Sequence, residues 1–170
     1  TSVDAYLIGL SSNNPGTIIS DRATSGAGLT HVLGAASVGS NTIHIQAGGN
    51  VASGTAGISF ASLSLASGGG GTTLLNPVSS VLTITGAVNS TSNSAKTLDL
   101  GGTSAGNSIS GVISNGTNVV SFAKSNTGTW TLDGAAANTY TGTTTIAGGT
   151  LILAKTAAIN AIPGSLTIGD

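Results

Sequence analysis

The chain has 170 residues, of which 5% are charged, with a formal net charge of −1 and no cysteine or methionine. These values exclude a disulfide scaffold, a thiolate metal site and a basic surface for nucleic acid or anionic lipid. Hydrophobic residues nevertheless reach 39% and mean hydropathy is positive, so a packed fold is expected rather than a disordered one.

Residues 1–40 are the least regular part. Val3 to Leu10 reads as a strand, Asn13-Asn14-Pro15-Gly16 as a turn, and Thr17-Ile18-Ile19-Ser20 as a second short strand. This segment is expected to be an irregular cap, or a docking segment that pairs with another subunit's sheet edge. The chain starts at Thr1 rather than Met, as expected of a mature or excised piece. No uninterrupted apolar run approaches the ~20 residues of a membrane span.

From residue 41 to 170 a rhythm of coils is expected. Short runs alternate apolar and small polar residues: Thr42-Ile43-His44-Ile45, Gly57-Ile58-Ser59-Phe60, Ser62-Leu63-Ser64-Leu65, Val81-Leu82-Thr83-Ile84 and Thr97-Leu98-Asp99-Leu100. The pattern continues through Ser108-Ile109, Val112-Ile113, Val119-Val120-Ser121-Phe122, Thr129-Trp130-Thr131-Leu132, Thr143-Thr144-Thr145-Ile146, Thr150-Leu151-Ile152-Leu153 and Ser165-Leu166-Thr167-Ile168. Period-2 alternation predicts strands with one buried and one wet face. Glycine pairs such as Gly148-Gly149 mark corners, and Gly68-Gly69-Gly70-Gly71 reads as a flexible corner. No helix is expected. Ala154 to Ile162 reads as a loop or single helical turn, ended by Pro163-Gly164.

A sandwich, an antiparallel barrel and a parallel solenoid all use short alternating strands. The shortness of the runs, the Gly-, Asn- and Ser-rich connectors, 3% aromatics and near absence of charge favour an all-β parallel solenoid. Stacking places equivalent residues ~4.8 Å apart. Like charges would repel along such a stack, whereas Thr, Ser and Asn form hydrogen-bonded ladders. About seven coils fit at ~20–25 residues each. The expected core is Ile43, Ile45, Ile58, Phe60, Leu63, Leu65, Leu82, Ile84, Leu98, Leu100, Phe122, Trp130, Leu132, Ile146, Leu151, Leu153, Leu166 and Ile168.

One window carries a family resemblance. Lys124, Gly128-Thr129-Trp130-Thr131-Leu132, Gly134, Asn138-Thr139-Tyr140-Thr141-Gly142, Thr143-Thr144-Thr145-Ile146 and Gly149-Thr150-Leu151 resemble the autotransporter-associated β-strand repeat of bacterial passenger regions. The likeness is best over residues 108–153. The insertion Ala135-Ala136-Ala137 departs from the pattern and only lengthens a corner. The resemblance implies a right-handed parallel β-helix, export to the cell surface and a structural or adhesive role.

No catalytic, cofactor-binding or metal-binding residue is assigned. There is no Gly-x-Ser-x-Gly elbow, His-Glu-x-x-His or phosphate loop. The acids Asp4, Asp21, Asp99, Asp133 and Asp170 are too dispersed for the converging oxygens that Ca²⁺ requires in polysaccharide lyases. Asp21-Arg22 reads as a surface pair. His44 is the outward member of its run, and His31 lies in the irregular segment. The Thr-x-Thr pattern of residues 129–145 reads as strand-forming threonine on a solvated face, not as an ice-binding array. Trp130 shares its phase with Leu132 and is expected in the core, with Tyr140 packing a corner. Asn89-Ser90-Thr91 and Asn115-Gly116-Thr117 match the glycosylation sequon, a frequent chance match.

The expectation is therefore a non-enzymatic structural protein of the extracellular space or bacterial cell surface, a fibre subunit or stalk segment. It would self-associate through solenoid ends or sheet edges. The chain ends Leu166-Thr167-Ile168-Gly169-Asp170, directly on a strand and without a polar cap after it, as expected of a stacking end. The alternative is an adhesin module binding carbohydrate or a host surface. No nucleic-acid partner, membrane span or cofactor is expected.

Overall fold

The computed structural model describes residues 8–10, 14–66 and 69–169. In chain order the strands are β1 (Ile8–Leu10), β2 (Gly16–Ser20), β3 (Gly26–Ala27), β4 (Thr30–Val38), β5 (Thr42–Ala47), β6 (Val51–Ser53), β7 (Gly57–Leu65), β8 (Gly71–Pro77) and β9 (Val81–Ile84). They continue with β10 (Val88–Ser90), β11 (Lys96–Leu100), β12 (Asn107–Ile109), β13 (Ile113–Gly116), β14 (Val120–Lys124), β15 (Thr129–Gly134), β16 (Thr144–Ile146), β17 (Thr150–Lys155) and β18 (Leu166–Ile168).

The strands stack into a parallel β-solenoid of about six turns. One long sheet runs β1-β4-β7-β9-β12-β15-β17, a second runs β2-β5-β8-β11-β14-β16-β18, and β3 and β6 form a separate two-stranded sheet. Every described pairing is parallel, and the registers keep inward positions in columns. Leu98 lies against Phe122, Phe122 against Thr144, and Thr144 against Leu166. A shorter third face arises because β7 is long: its first half pairs with β9 and its second half with β10. β13 continues that face beneath β10. The stack already takes in β2 and β4, which lie within the segment set apart above as residues 1–40. The start of the expected Val3–Leu10 strand, and Asn13 of the expected turn, lie outside the described residues.

Period-2 alternation has its physical cause here. In β5 the side chains of Ile43 and Ile45 are buried while Thr42 and His44 are half-covered on the outer face. The same holds for Leu98 and Leu100 against Thr97 and Asp99. The interior is one continuous column of Ile, Leu, Val and Phe, with Trp130 and Tyr140 fully enclosed. It also takes in Val38, Leu75, Val88, Ile109, Ile113 and Val120, beyond the residues expected above.

Three expected core residues are not buried. Leu153, Leu166 and Ile168 are 52%, 44% and 73% exposed. Their phase is inward, since Leu153 stacks on Leu132 and Ile168 on Ile146. They belong to the last described coil, and an inward side chain is enclosed only when coils lie on both sides of it. Leu151, on the same edge, is half-buried, as is Ile146, which lies between Lys124 and Ile168. Ala154 and Lys155 also differ from the expected loop, for they complete β17 beside Asp133 and Gly134. Beyond them a turn closes with Ile159 N–H donating to Thr156 O at 3.0 Å.

Candidate functional site

The titratable residues singled out in the sequence do not converge. Asp21 is not a simple surface partner of Arg22: its Oδ1 accepts the backbone N–H groups of Arg22 at 2.8 Å and Asn50 at 3.0 Å. It thus ties a corner to the next coil. His31 Nε2 lies 2.9 Å from the Asp21 carbonyl oxygen. His44 Nδ1 lies 2.8 Å from Asn76 Nδ2, its partner in the stack. Asp99 accepts the Ser125 hydroxyl at 2.8 and 3.0 Å. Burial pushes the Asp99 carboxyl above its ordinary pKa, opposed by that hydroxyl and by the Lys124 charge. Among the described residues no three His, Asp or Glu side chains gather where a metal could sit. Asp4 and Asp170 lie outside the described residues.

What the solenoid does bring together is a set of charged and amide side chains at the coil corners. Lys96 and Lys124 are buried, 2% and 0% exposed. Lys96 Nζ donates to Ser40 Oγ at 2.7 Å. Lys124 Nζ donates to the carbonyls of Ser125, Asn126 (3.4 Å) and Gly148 (3.2 Å). Lys155 Nζ donates to Gly111 O at 3.2 Å, passing Gly134, its partner in the stack. Burial holds all three ammonium groups below their ordinary pKa, opposed by Asp99 at Lys124 and by Asp133 at Lys155. Long side chains with a charged tip turned inward join one coil to another, because the tip must find oxygen there.

Two asparagines act likewise. Asn107, fully buried, accepts Leu82 N–H at 2.9 Å and donates to Ser104 O and Thr129 O at 2.8 and 3.0 Å. Asn138 accepts Ile113 N–H at 2.9 Å and donates to Ala161 O at 2.7 Å. Its side chain stands in for the strand that the third face lacks after β13. On the outside, Asn115 accepts Val120 N–H and Thr141 N–H, both at 3.0 Å, and donates to Thr141 Oγ1 at 2.8 Å.

Trp130 donates from Nε1 to Gly101 O at 2.9 Å. Tyr140 stacks on Phe122 with ring centroids 6.0 Å apart, and its hydroxyl lies 2.7 Å from Thr144 Oγ1. Both rings are enclosed, so neither offers a platform for a sugar. Of the threonines, Thr129, Thr131 and Thr145 lie on the outer face, Thr139 and Thr141 at a corner, and Thr144 is buried.

The cage around Lys124, the Trp130 strand, the Asn138 staple and Gly149 therefore fall in one window. Residues 122–153 match the passenger-associated-transport-repeat. The match covers the later part of the window in which the sequence resembles the autotransporter repeat, and it agrees with the parallel solenoid. In the structure the matched residues include a buried cation, a strand, an amide staple and a glycine corner. Among curated proteins and among solved structures, none matches the chain. The repeat family points to the bacterial cell surface or the extracellular space.

The lysines have no place in the interior on the sequence reading above. The signal was present: Lys96 shares its phase with Leu98 and Leu100, and Lys124 with Val120 and Phe122.

Proposed function

We propose that this chain is a non-enzymatic structural segment of a bacterial cell-surface solenoid, and that its coils continue by stacking end to end on a further copy. The observation that carries the stacking reading is the last described coil, where Leu153, Leu166 and Ile168 are inward in phase yet exposed. Leu153 and Leu166 border an open concavity of about 460 Å³, lined also by Ile159 and Ile162. Among the described residues, strands β17 and β18 each have a neighbour on one side only, so their outer edges present unpaired backbone groups above apolar side chains. Copies related head to tail form an open filament rather than a closed ring.

Sedimentation equilibrium of the full chain tests this. Mass should rise with concentration, and Ile168→Lys, which places a charge on the stacking face, should return the chain to monomer. A wild-type chain that stays monomeric across the accessible range would overturn the stacking reading. The alternative, an adhesin module for carbohydrate, draws less support because Trp130 and Tyr140 are enclosed; specific hits on a glycan array would favour it.

A further inference from the structure

The geometry points to the corner of Ser125, Asn126 and Gly148 as a binding site for a primary ammonium ion, one that the chain fills with its own Lys124. The carbonyl oxygens of these three residues, drawn from two successive coils, converge on Nζ. A primary ammonium has three N–H donors and no acceptor, so its hydrogen-bonding capacity equals what the corner offers. The side chain is fully buried, which leaves no bulk water to replace a missing donor. Asp99 acts from a distance, since its carboxylate is engaged by the Ser125 hydroxyl. The charge is therefore held by carbonyl dipoles rather than by an ion pair.

The backbone is shaped to the ion. Asn126 adopts φ 54° and Gly149 φ 70°, both in the left-handed region that non-glycine residues rarely enter. A Cβ on Gly149 would lie 2.5 Å from Nζ, 2.4 Å from Asn126 O and 2.6 Å from Gly128 O. The space beside the ammonium is closed, and closed by backbone. A hydrocarbon there would leave buried carbonyl oxygens without donors, which is more costly than the loss of one average hydrogen bond. The inference does not depend on whether the solenoid serves as stalk or adhesin.

The test uses the full chain and equilibrium urea unfolding, with refolding in the presence of each additive so that access to the buried site is not limiting. Lys124→Met keeps the stem and removes the donors; its midpoint should fall by about 1 M urea. Lys124→Ala removes the atoms that n-propylammonium supplies. Its midpoint should fall further and be largely restored by n-propylammonium chloride, but not by n-propanol or by sodium chloride at equal ionic strength. If Lys124→Ala does not fold alone, folding in n-propylammonium is the readout. A Lys124→Met midpoint equal to wild type overturns the proposal. So does equal rescue of Lys124→Ala by n-propanol, or rescue by none of the additives.

Discussion

Lys96 crosses over Gly71, its partner in the stack, to donate to Ser40 on the far side. The register sets Lys96 against Gly71, and Nζ then reaches Ser40 Oγ at 2.7 Å. A Cβ on Gly71 would lie 2.9 Å from that same Oγ. The glycine is therefore the gap through which one lysine joins three coils. Gly71 also has φ 145°, outside the region that L-residues favour. Gly71→Ala should destabilise the chain by about 1–3 kcal/mol, and Lys96→Met by about 1 kcal/mol. Double-mutant urea unfolding checks the coupling. If both lesions act on one strut, the combined loss is smaller than the sum of the two.

The pH dependence of stability should run against the usual acid lability. Burial lowers the folded pKa values of Lys96, Lys124 and Lys155 below 10.5. The unfolded chain then holds more protons than the folded one between the depressed values and 10.5, so stability rises with pH across that window. Burial raises Asp99 above 3.8, so the folded state holds the extra proton there, and stability rises as pH falls through its folded value. Urea midpoints measured from pH 3 to 11 should climb towards both limbs, with the alkaline gain reduced in Lys96→Met. A midpoint that falls on the alkaline limb would contradict the buried-lysine account, and one that falls on the acid limb would contradict the raised Asp99.

Asn138 replaces a missing strand, so its loss should be felt at both coils it joins. Asn138→Ala leaves the buried N–H of Ile113 and the carbonyl of Ala161 without this partner. The expected cost is about 2–4 kcal/mol. Hydrogen exchange should show lost protection at Ile113, while Leu98, in another sheet, keeps its own.

Trp130 is the one tryptophan in the chain and is fully enclosed. Its emission should be blue-shifted when folded and move to the red on unfolding, giving a direct probe for the titrations above. Trp130→Phe removes the bond to Gly101 O and part of the ring volume, at a cost of about 1–3 kcal/mol. Trp130→Ala should cost about 3–5 kcal/mol.

Ile43 and Ile45 show why the strands were legible in sequence. Alternation reports the phase of a side chain, and a parallel stack buries one phase. The same signal was silent on Leu166 and Ile168, because phase does not say whether another coil lies beneath. Lys124 was visible as part of a family pattern but not as a buried cation, since composition alone places lysine in water. Its role depends on carbonyls of Ser125 and Gly148 that meet only after the chain has turned once. Asn138 is visible only as part of the same pattern, for its bonds to Ile113 and Ala161 join residues far apart in sequence.

Negative-stain electron microscopy of the concentrated full chain addresses the stacking of coils most directly. Seven stacked strands at ~4.8 Å per coil give each copy a length of roughly 30–35 Å along the axis. The account predicts rods of constant width and varied length, shortened to single units by Ile168→Lys. Isolated particles of uniform size at every concentration would contradict it.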